Sequence, residues 1–202
     1  MQFGIKSNIK EVQRGLNDVA RSQIPFATAM AINDVLRDIK RNWEKRLRKS
    51  IDRPTRFTMQ AFAIRRANKR TLSGAIFAKD IQEEYLQWLE EGGTRKPKRR
   101  AVLVPVRQRL NKYGNIPRRA VGRAIASPKT FSGAPKGKPR AAGIYQRTGR
   151  GRNAGLKLLV HYADDATYKP RLRLIAGAAK TATARLPGAI LRAVRRAVGS
   201  AR

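Results

Sequence analysis

The residues of this chain best suited to chemistry are its clustered arginines and lysines, because guanidinium and ammonium groups pair with phosphates and carboxylates. The residues predicted to contact DNA or an acidic partner are Arg95, Lys96, Lys98, Arg99, Arg100, Arg118, Arg119, Arg147, Arg150 and Arg152. They lie in a stretch of 72 residues between Glu91 and Asp164 that holds 19 Lys and Arg and no acidic residue. Such a stretch repels itself, which predicts a polyanion or an acidic protein surface beside it.

The charge of the whole chain further limits the classes of partner that this protein could bind. The formal net charge of +33 over 202 residues is far more than solubility requires. A membrane-binding patch would sit on a basic amphipathic helix, whereas the densest charge here lies in sequence rich in Gly and Pro. No helix-turn-helix, zinc-finger or RNP signature is present, so any nucleic-acid binding is predicted to be sequence-independent and salt-dependent. Tyr113, Phe131 and Tyr145 interleave with the charge and could stack on bases.

Residues for catalysis are scarce. His161 is the only histidine, so no histidine pair can bind zinc, and its surroundings predict an ordinary strand residue. Asp80, Glu83 and Glu84 could hold Mg²⁺ for nucleic-acid cleavage, although carboxylates at a helix start also favour the helix dipole. The sequence therefore predicts no enzyme, no metal and no cofactor, with a metal-dependent nuclease as the weakest alternative.

Other features of the sequence indicate the cellular compartment of the protein. The chain has no cysteine, which removes disulfides and fits a reducing compartment. Residues 1–6 do not resemble a signal peptide, and no apolar run of about 18 residues could span a membrane. We expect a soluble protein that is synthesised in a cytoplasm.

Helical periodicity is strongest in the N-terminal part of the chain. A first helix is predicted over residues 8–21, with a break at Pro25 that starts a second helix. The second helix is predicted to end before Pro54. Its apolar stripe consists of Ile32, Val35, Leu36, Ile39, Trp43, Leu47 and Ile51.

A strand pair and a short helix follow. Alternation predicts strands near residues 62–64 and 72–78, joined by a turn at residues 67–70. A helix is predicted over residues 81–91 and is stopped by two glycines. The side chains expected on its inner face are Ile81, Tyr85, Trp88 and Leu89.

The remainder is predicted to mix loops, strands and helices. Pro105 confines a short strand at residues 102–106 to a sheet edge, and a brief helix is expected at residues 117–126. Residues 127–142 are interpreted as an extended arm that is disordered without a partner. The later elements are strands at residues 143–147 and 156–162 and a C-terminal helix from residue 170, kinked or split at Pro187.

This order predicts an α+β fold. N-terminal helices precede a small antiparallel sheet with an inserted helix, and C-terminal helices follow. We expect a single domain over residues 1–202, from which residues 93–142 extend as a region of basic loops.

One segment carries a family resemblance. Residues 24–33 read Ile-Pro-Phe-Ala-Thr-Ala-Met-Ala-Ile-Asn, which resembles the opening of the first long helix in the minor tail protein Z family of tailed bacteriophages. The ending Arg185-Leu186-Pro187 before an amphipathic helix is also similar. So is the order of basic loop region, strands and helical tail. Residues 127–142 have no counterpart in the family.

The resemblance implies a structural virion protein without enzymatic activity. Such a protein is a minor tail or tail-completion subunit at the neck, where head and tail join. It forms a homo-oligomeric ring around the DNA channel, with six- or twelve-fold symmetry expected. Its neighbours are the head-tail connector and the tail-tube or terminator proteins, and packaged DNA could be bound without sequence preference. It is made in the cytoplasm of the bacterial host. The competing interpretation is a ribosomal-type or other sequence-independent nucleic-acid-binding protein.

Overall fold

The computed structural model describes residues 1–6, 18–97, 100–138 and 141–199 of the chain. Its helices and antiparallel sheets confirm the predicted α+β class. Contacts divide the chain into unit 1, Met1–Glu91 with Pro170–Arg202, and unit 2, Gly92–Lys169. The single domain expected over residues 1–202 stays a prediction.

The elements follow one another along both units. In chain order they are β1 (Gln2–Lys6), α1 (Asp18–Ser50), α2 (Arg56–Met59), β2 (Phe62–Arg65), β3 (Ser73–Ala78), α3 (Asp80–Glu90), β4 (Gly93–Arg95), β5 (Val102–Pro105), α4 (Ala120–Ala126), β6 (Thr130–Gly133), β7 (Gly143–Thr148), a 3₁₀ turn (Gly151–Asn153), β8 (Gly155–Ala163), β9 (Ala166–Tyr168) and α5 (Leu174–Gly199). Unit 1 holds an antiparallel sheet in the order β1-β3-β2 and the packed helices α1 and α5.

The apolar stripe of α1 forms the core of unit 1, as its periodicity predicts. Its fully buried members are Ile32, Val35, Leu36, Ile39, Trp43 and Leu47. The indole Nε1 of Trp43 donates a hydrogen bond to the carbonyl of Leu174 at 3.0 Å. The Trp43 ring also meets the ring of Phe62 edge-on, with centroids 4.9 Å apart. One side chain therefore joins α1, β2 and the start of α5.

The predicted break at Pro25 is wrong, because α1 continues through it. Proline removes one backbone donor from a helix, and that local loss is outweighed where the neighbouring turn is packed. Ala27, Ala29 and Ala31 are all buried in the core. Pro187 likewise lies inside α5, so that helix is not split. Of the helix predicted over residues 8–21, positions 8–17 lie outside the described residues.

The inner face of α3 differs from its prediction at three positions. Ile81 is 67% exposed, whereas Gln82 and Leu86 are buried. The side-chain amide of Gln82 donates to the carbonyl of Phe57 at 3.2 Å, so a polar residue with a backbone partner takes the inward position. Tyr85 packs at the edge of the core, as expected.

The chain leaves unit 1 after α3 and returns to it beside the same helix end. The backbone amides of Arg171 and Leu172 both donate to the carbonyl of Leu89, at 2.7 and 3.0 Å. The Glu90 carboxylate accepts the amides of Leu174 and Ile175 at 2.7 and 3.1 Å. The start of α5 is therefore capped by the end of α3.

Asn33, the last residue of the segment resembling the tail family, holds the β2–β3 turn. Its Nδ2 donates to the carbonyl of Ala67, and its Oδ1 accepts the Ala67 amide, both at 2.9 Å. Local sequence patterns do not indicate this pairing, since Ala67 is far along the chain.

Replacing Asn33 with alanine should lower the free energy of unfolding by about 2 kcal/mol, because both backbone groups of Ala67 lose their partner. Urea unfolding followed by circular dichroism measures this change. Asn33→Asp keeps the acceptor and loses the donor, so it should fall between the wild type and Asn33→Ala. An alanine variant with an unchanged midpoint would show that the pairing contributes nothing.

Unit 2 is rich in basic residues and has a small apolar core. Its main sheet is antiparallel in the order β5-β8-β7-β6, and β4 pairs with β9. Pro105 lies on the edge strand β5, as predicted. Among the described residues of this unit, the buried apolar side chains are Ile144, Tyr145 and Val160. So small a core stabilises the unit only weakly.

The predicted arm at residues 127–142 contains a strand. β6 pairs with β7, and the ring of Phe131 stacks on that of Tyr145 with centroids 5.4 Å apart. The prediction of an irregular, disordered segment is therefore wrong for Thr130–Gly133, because pairing with the next strand along the chain outweighs the local Gly and Pro content. Residues 98–99 and 139–140 lie outside the described part of the chain.

Candidate polyanion-binding cleft

An open cleft of about 1210 Å³ in unit 2 brings together five cationic side chains. These are Arg109, Lys112, Arg118, Arg119 and Arg123. The other lining residues are Gln108, Leu110, Asn111, Pro117, Ala120, Ala124, Ser127, Thr130, Gln146 and Leu159. None of these described lining residues is acidic, so the cleft is a concave surface of one sign of charge.

The first wall of the cleft is the segment after β5. The backbone amides of Val106, Arg107 and Gln108 all donate to the carbonyl of Leu159, at 2.9, 3.1 and 3.1 Å. The Asn111 Oδ1 accepts the amides of Tyr113 and Asn115 at 2.9 and 3.0 Å. These bonds fold the segment into a compact turn, which holds the intervening basic residues at the cleft.

The second wall is α4 with the residues just before it. Arg118 and Arg119 precede the helix, and Arg123 lies on it. The hydroxyl of Thr130 donates to the carbonyls of Ala124 and Ser127, the latter at 3.0 Å. This ties the end of α4 to β6, so the three arginines sit on a fixed support.

The cationic groups of unit 2 have little internal counter-charge. Residues 92–169 hold 20 Lys and Arg and only two acidic residues, Asp164 and Asp165. Ion pairs are formed in unit 1, for example between Asp52 and Arg53 at 2.9 Å, and none forms among the described residues of unit 2. An external anion would therefore meet guanidinium groups without a competing carboxylate.

The predicted contact residues occupy several places. Arg118 and Arg119 lie in the cleft. Arg95 lies on β4, Lys96 follows it, and Arg100 lines a second cavity. Arg147, Arg150 and Arg152 lie exposed at the end of β7 and in the turn after it. Lys98 and Arg99 lie outside the described residues.

Sequence reasoning missed three members of the cleft. Arg109, Lys112 and Arg123 are isolated basic residues, so cluster counting overlooked them. Their only signal was the lack of acidic residues around them. The cationic residues of the cleft therefore come from two separate segments of the chain and not from one run of basic residues.

The aromatic residues of unit 2 are less available than predicted. Tyr145 is buried, and its hydroxyl donates to the carbonyl of Ala141 at 2.6 Å. The guanidinium of Arg147 lies 5.3 Å from the centroid of the Phe131 ring, and the Lys112 ammonium lies 5.1 Å from that of Tyr113. The interpretation of Tyr145 as a base-stacking residue is therefore wrong, because its ring already packs inside the unit.

The residues considered for catalysis do not assemble. Among the described residues, no group of three or more His, Cys, Asp or Glu could hold a metal ion. Glu83 forms an ion pair with the amino group of Met1. His161 lies on β8, as expected, and its Nδ1 lies 3.1 Å from the carbonyl oxygen of Ala142.

In the part of the chain that the structure describes, no helix is long and apolar enough to cross a membrane. No family model, curated protein or solved structure matches the chain.

Proposed function

We propose that this chain is a structural protein of a tailed-phage virion. It acts as a minor tail or tail-completion subunit at the neck, in a homo-oligomeric ring around the DNA channel. Unit 2 binds the phosphates of DNA or the acidic surfaces of connector and tail-tube neighbours. The observation that carries the binding role is the cleft of five cationic side chains without an acidic residue.

The charge of unit 2 favours a component of a larger assembly. A surface with 20 basic and two acidic residues repels itself and is stabilised when anions surround it. Four of the five cations of the cleft are arginines, which bind phosphates and carboxylates through two parallel hydrogen bonds. These properties suit a subunit that is completed by its neighbours.

The assignment to a phage tail rests on the sequence resemblance at residues 24–33. In unit 1 this segment lies on α1, where its alanines and Ile32 are buried and Asn33 holds the β2–β3 turn. These contacts support a role for the segment in helix packing, which is the role that the resemblance implies.

A second candidate is a ribosomal-type or other sequence-independent nucleic-acid-binding protein. The exposed turn after β7 favours it, since Arg150 and Arg152 flank Gly151, which has a φ of 56°. A glycine at such a turn lets the backbone approach a phosphate closely. Co-sedimentation with ribosomes at moderate salt, without recovery from phage particles, would favour this candidate over the first.

Negative-stain microscopy and particle composition test the tail assignment. We expect rings of the purified protein and its presence in particles. The triple variant Arg118→Glu, Arg119→Glu, Arg123→Glu should be incorporated at least about tenfold less, because the cleft then repels anions. The matched control reverses the same charge on α5, with Arg192→Glu, Arg195→Glu and Arg196→Glu. A strict monomer that is absent from particles would remove the assignment.

A further inference from the structure

The edge strand β5 is open to pairing. It pairs with β8, and no other described strand pairs with it. An edge strand presents backbone N–H and C=O groups on its free side, which is a template for another strand. Proteins commonly protect such edges with charged side chains or proline, and here Pro105 is the only such residue within β5.

The side chains along this edge are apolar and exposed. Leu103, Val104 and Val106 are 42%, 39% and 52% exposed. Successive side chains of a strand point to opposite faces, so both faces of the edge offer apolar contact. An apolar strand at an edge that is left uncovered is a place where partners add.

A cavity adjoins the same strand. It has a volume of about 800 Å³ and is lined by Arg100, Ala101, Leu103, Ser132, Ala142, Tyr162 and Asp164. In complexes formed by strand addition, backbone hydrogen bonds give affinity, and pockets beside the edge receive alternate side chains. Leu103 of β5 lines the cavity, so a side chain of an added strand on the same face as Leu103 would lie next to it.

The charge around β5 selects the partner. Arg100, Arg107 and Arg109 are exposed on either side of the strand. A second copy of unit 2 placed at this edge would bring 20 more basic residues and only two acidic ones, which is repulsive at this surface. Duplex DNA has no backbone that could pair with the free N–H and C=O groups of β5, whereas an extended polypeptide does. The remaining occupant is an acidic polypeptide.

We propose that β5 docks an extended acidic segment of a partner protein, which adds to the sheet as a fifth strand. Backbone hydrogen bonds would hold the segment. Its apolar side chains would cover Leu103, Val104 and Val106, and its carboxylates would meet the flanking arginines. This inference goes beyond the proposed function, because it holds whether or not the protein belongs to a virion.

Fluorescence anisotropy with a labelled peptide tests the proposal on the full-length protein. The probe is a synthetic peptide that alternates glutamate and valine. Two control peptides carry N-methyl groups on every second residue, one in each register, and a third is oligoglutamate of equal charge. We expect oligoglutamate and at least one of the two methylated peptides to bind at least about tenfold more weakly than the probe.

Matched protein variants locate the docking edge. Val104→Lys should weaken binding of the probe at least about tenfold, since it places a charge on the edge. Val194→Lys is the control, because Val194 is 37% exposed on α5 and lies outside unit 2. Amide exchange at Val160 reports that the sheet of the variant is folded, and slower exchange along β5 reports docking of the probe.

Several results would overturn the proposal. Equal binding of the probe and both methylated peptides, or equal weakening by the two lysine variants, would mean that charge alone acts. A wild-type oligomer that Val104→Lys alone converts to monomer in sedimentation would assign the edge to a second copy. Protection of β5 by duplex DNA but not by the probe would assign it to nucleic acid. If the probe fails to bind while the wild-type protein still binds heparin, which is a polyanion, the strand-addition proposal fails and the proposed function of the cleft is unaffected. If the probe binds and heparin does not, the proposed function of the cleft fails and the strand-addition proposal is unaffected.

Discussion

Binding of the protein to duplex DNA should weaken by about 10³- to 10⁵-fold when salt rises from about 50 to about 200 mM, for roughly 6 to 10 phosphate contacts. The cleft supplies five cations. The exposed arginines at and after the end of β7 supply three more, namely Arg147, Arg150 and Arg152. A set of this size falls in the middle of that range of contacts, and each bound phosphate releases condensed counterions.

Variants of the cleft sharpen this test. Arg118→Ala, Arg119→Ala and Arg123→Ala together should reduce the slope of log K against log salt by about 2 to 3, at about 0.9 for each lost contact. The control is the α5 triple variant Arg192→Ala, Arg195→Ala, Arg196→Ala, which should leave the slope unchanged. Anisotropy titrations across a salt series give both slopes. A flat profile for the wild type would mean that the charge serves protein contacts instead.

Replacing Trp43 with alanine should lower the free energy of unfolding by about 3 to 5 kcal/mol through lost packing. Trp43 is fully buried in the core of unit 1. Its loss also removes the hydrogen bond to the carbonyl of Leu174, which contributes about 1 kcal/mol more. The combined effect is comparable to the stability of many domains, so the variant is expected to unfold at low urea.

A graded series keeps the Trp43 prediction measurable. Trp43→Phe retains an aromatic ring beside Phe62 and loses the N–H donor, so its cost should be smaller than that of Trp43→Ala. Trp88→Ala removes the other tryptophan of the chain, which is only half-buried, and should cost less than Trp43→Ala. Urea unfolding followed by circular dichroism ranks the three. A midpoint for Trp43→Ala at or above that of Trp88→Ala would contradict the central place of Trp43.

The parts of the fold that local sequence decides were predictable. The stripe from Ile32 to Leu47 recurs with the helical period, and a long helix satisfies its own backbone, so α1 and its core face were correct. The break at Pro25 was wrong because its cost is local, whereas the packing that offsets it comes from distant residues. The short strand β1 and the β4–β9 pair were missed, since three to five residues carry little pattern without their partners.

The candidate site was predictable in its charge and not in its shape. The stretch without acidic residues located the positive surface correctly. The cleft depends on the Asn111 turn and on the anchoring of α4 by Thr130, which bring isolated residues such as Arg109 and Arg123 together. Side-chain hydrogen bonds of this kind follow from tertiary placement, so counting charges along the chain could not find them.

The hydrogen bonds between the end of α3 and the segment before α5 have a consequence for variation in this protein. Because Leu89 and Glu90 hold residues 171–175, unit 1 keeps both ends of the intervening chain together by its own contacts. For the folding of unit 1, unit 2 then counts as the length of chain that joins Glu91 to Pro170. Doubling the length of a flexible loop costs only about 0.6 kcal/mol in closure entropy. Insertions, deletions or complete replacement of the chain between Gly92 and Lys169 should therefore leave unit 1 folded.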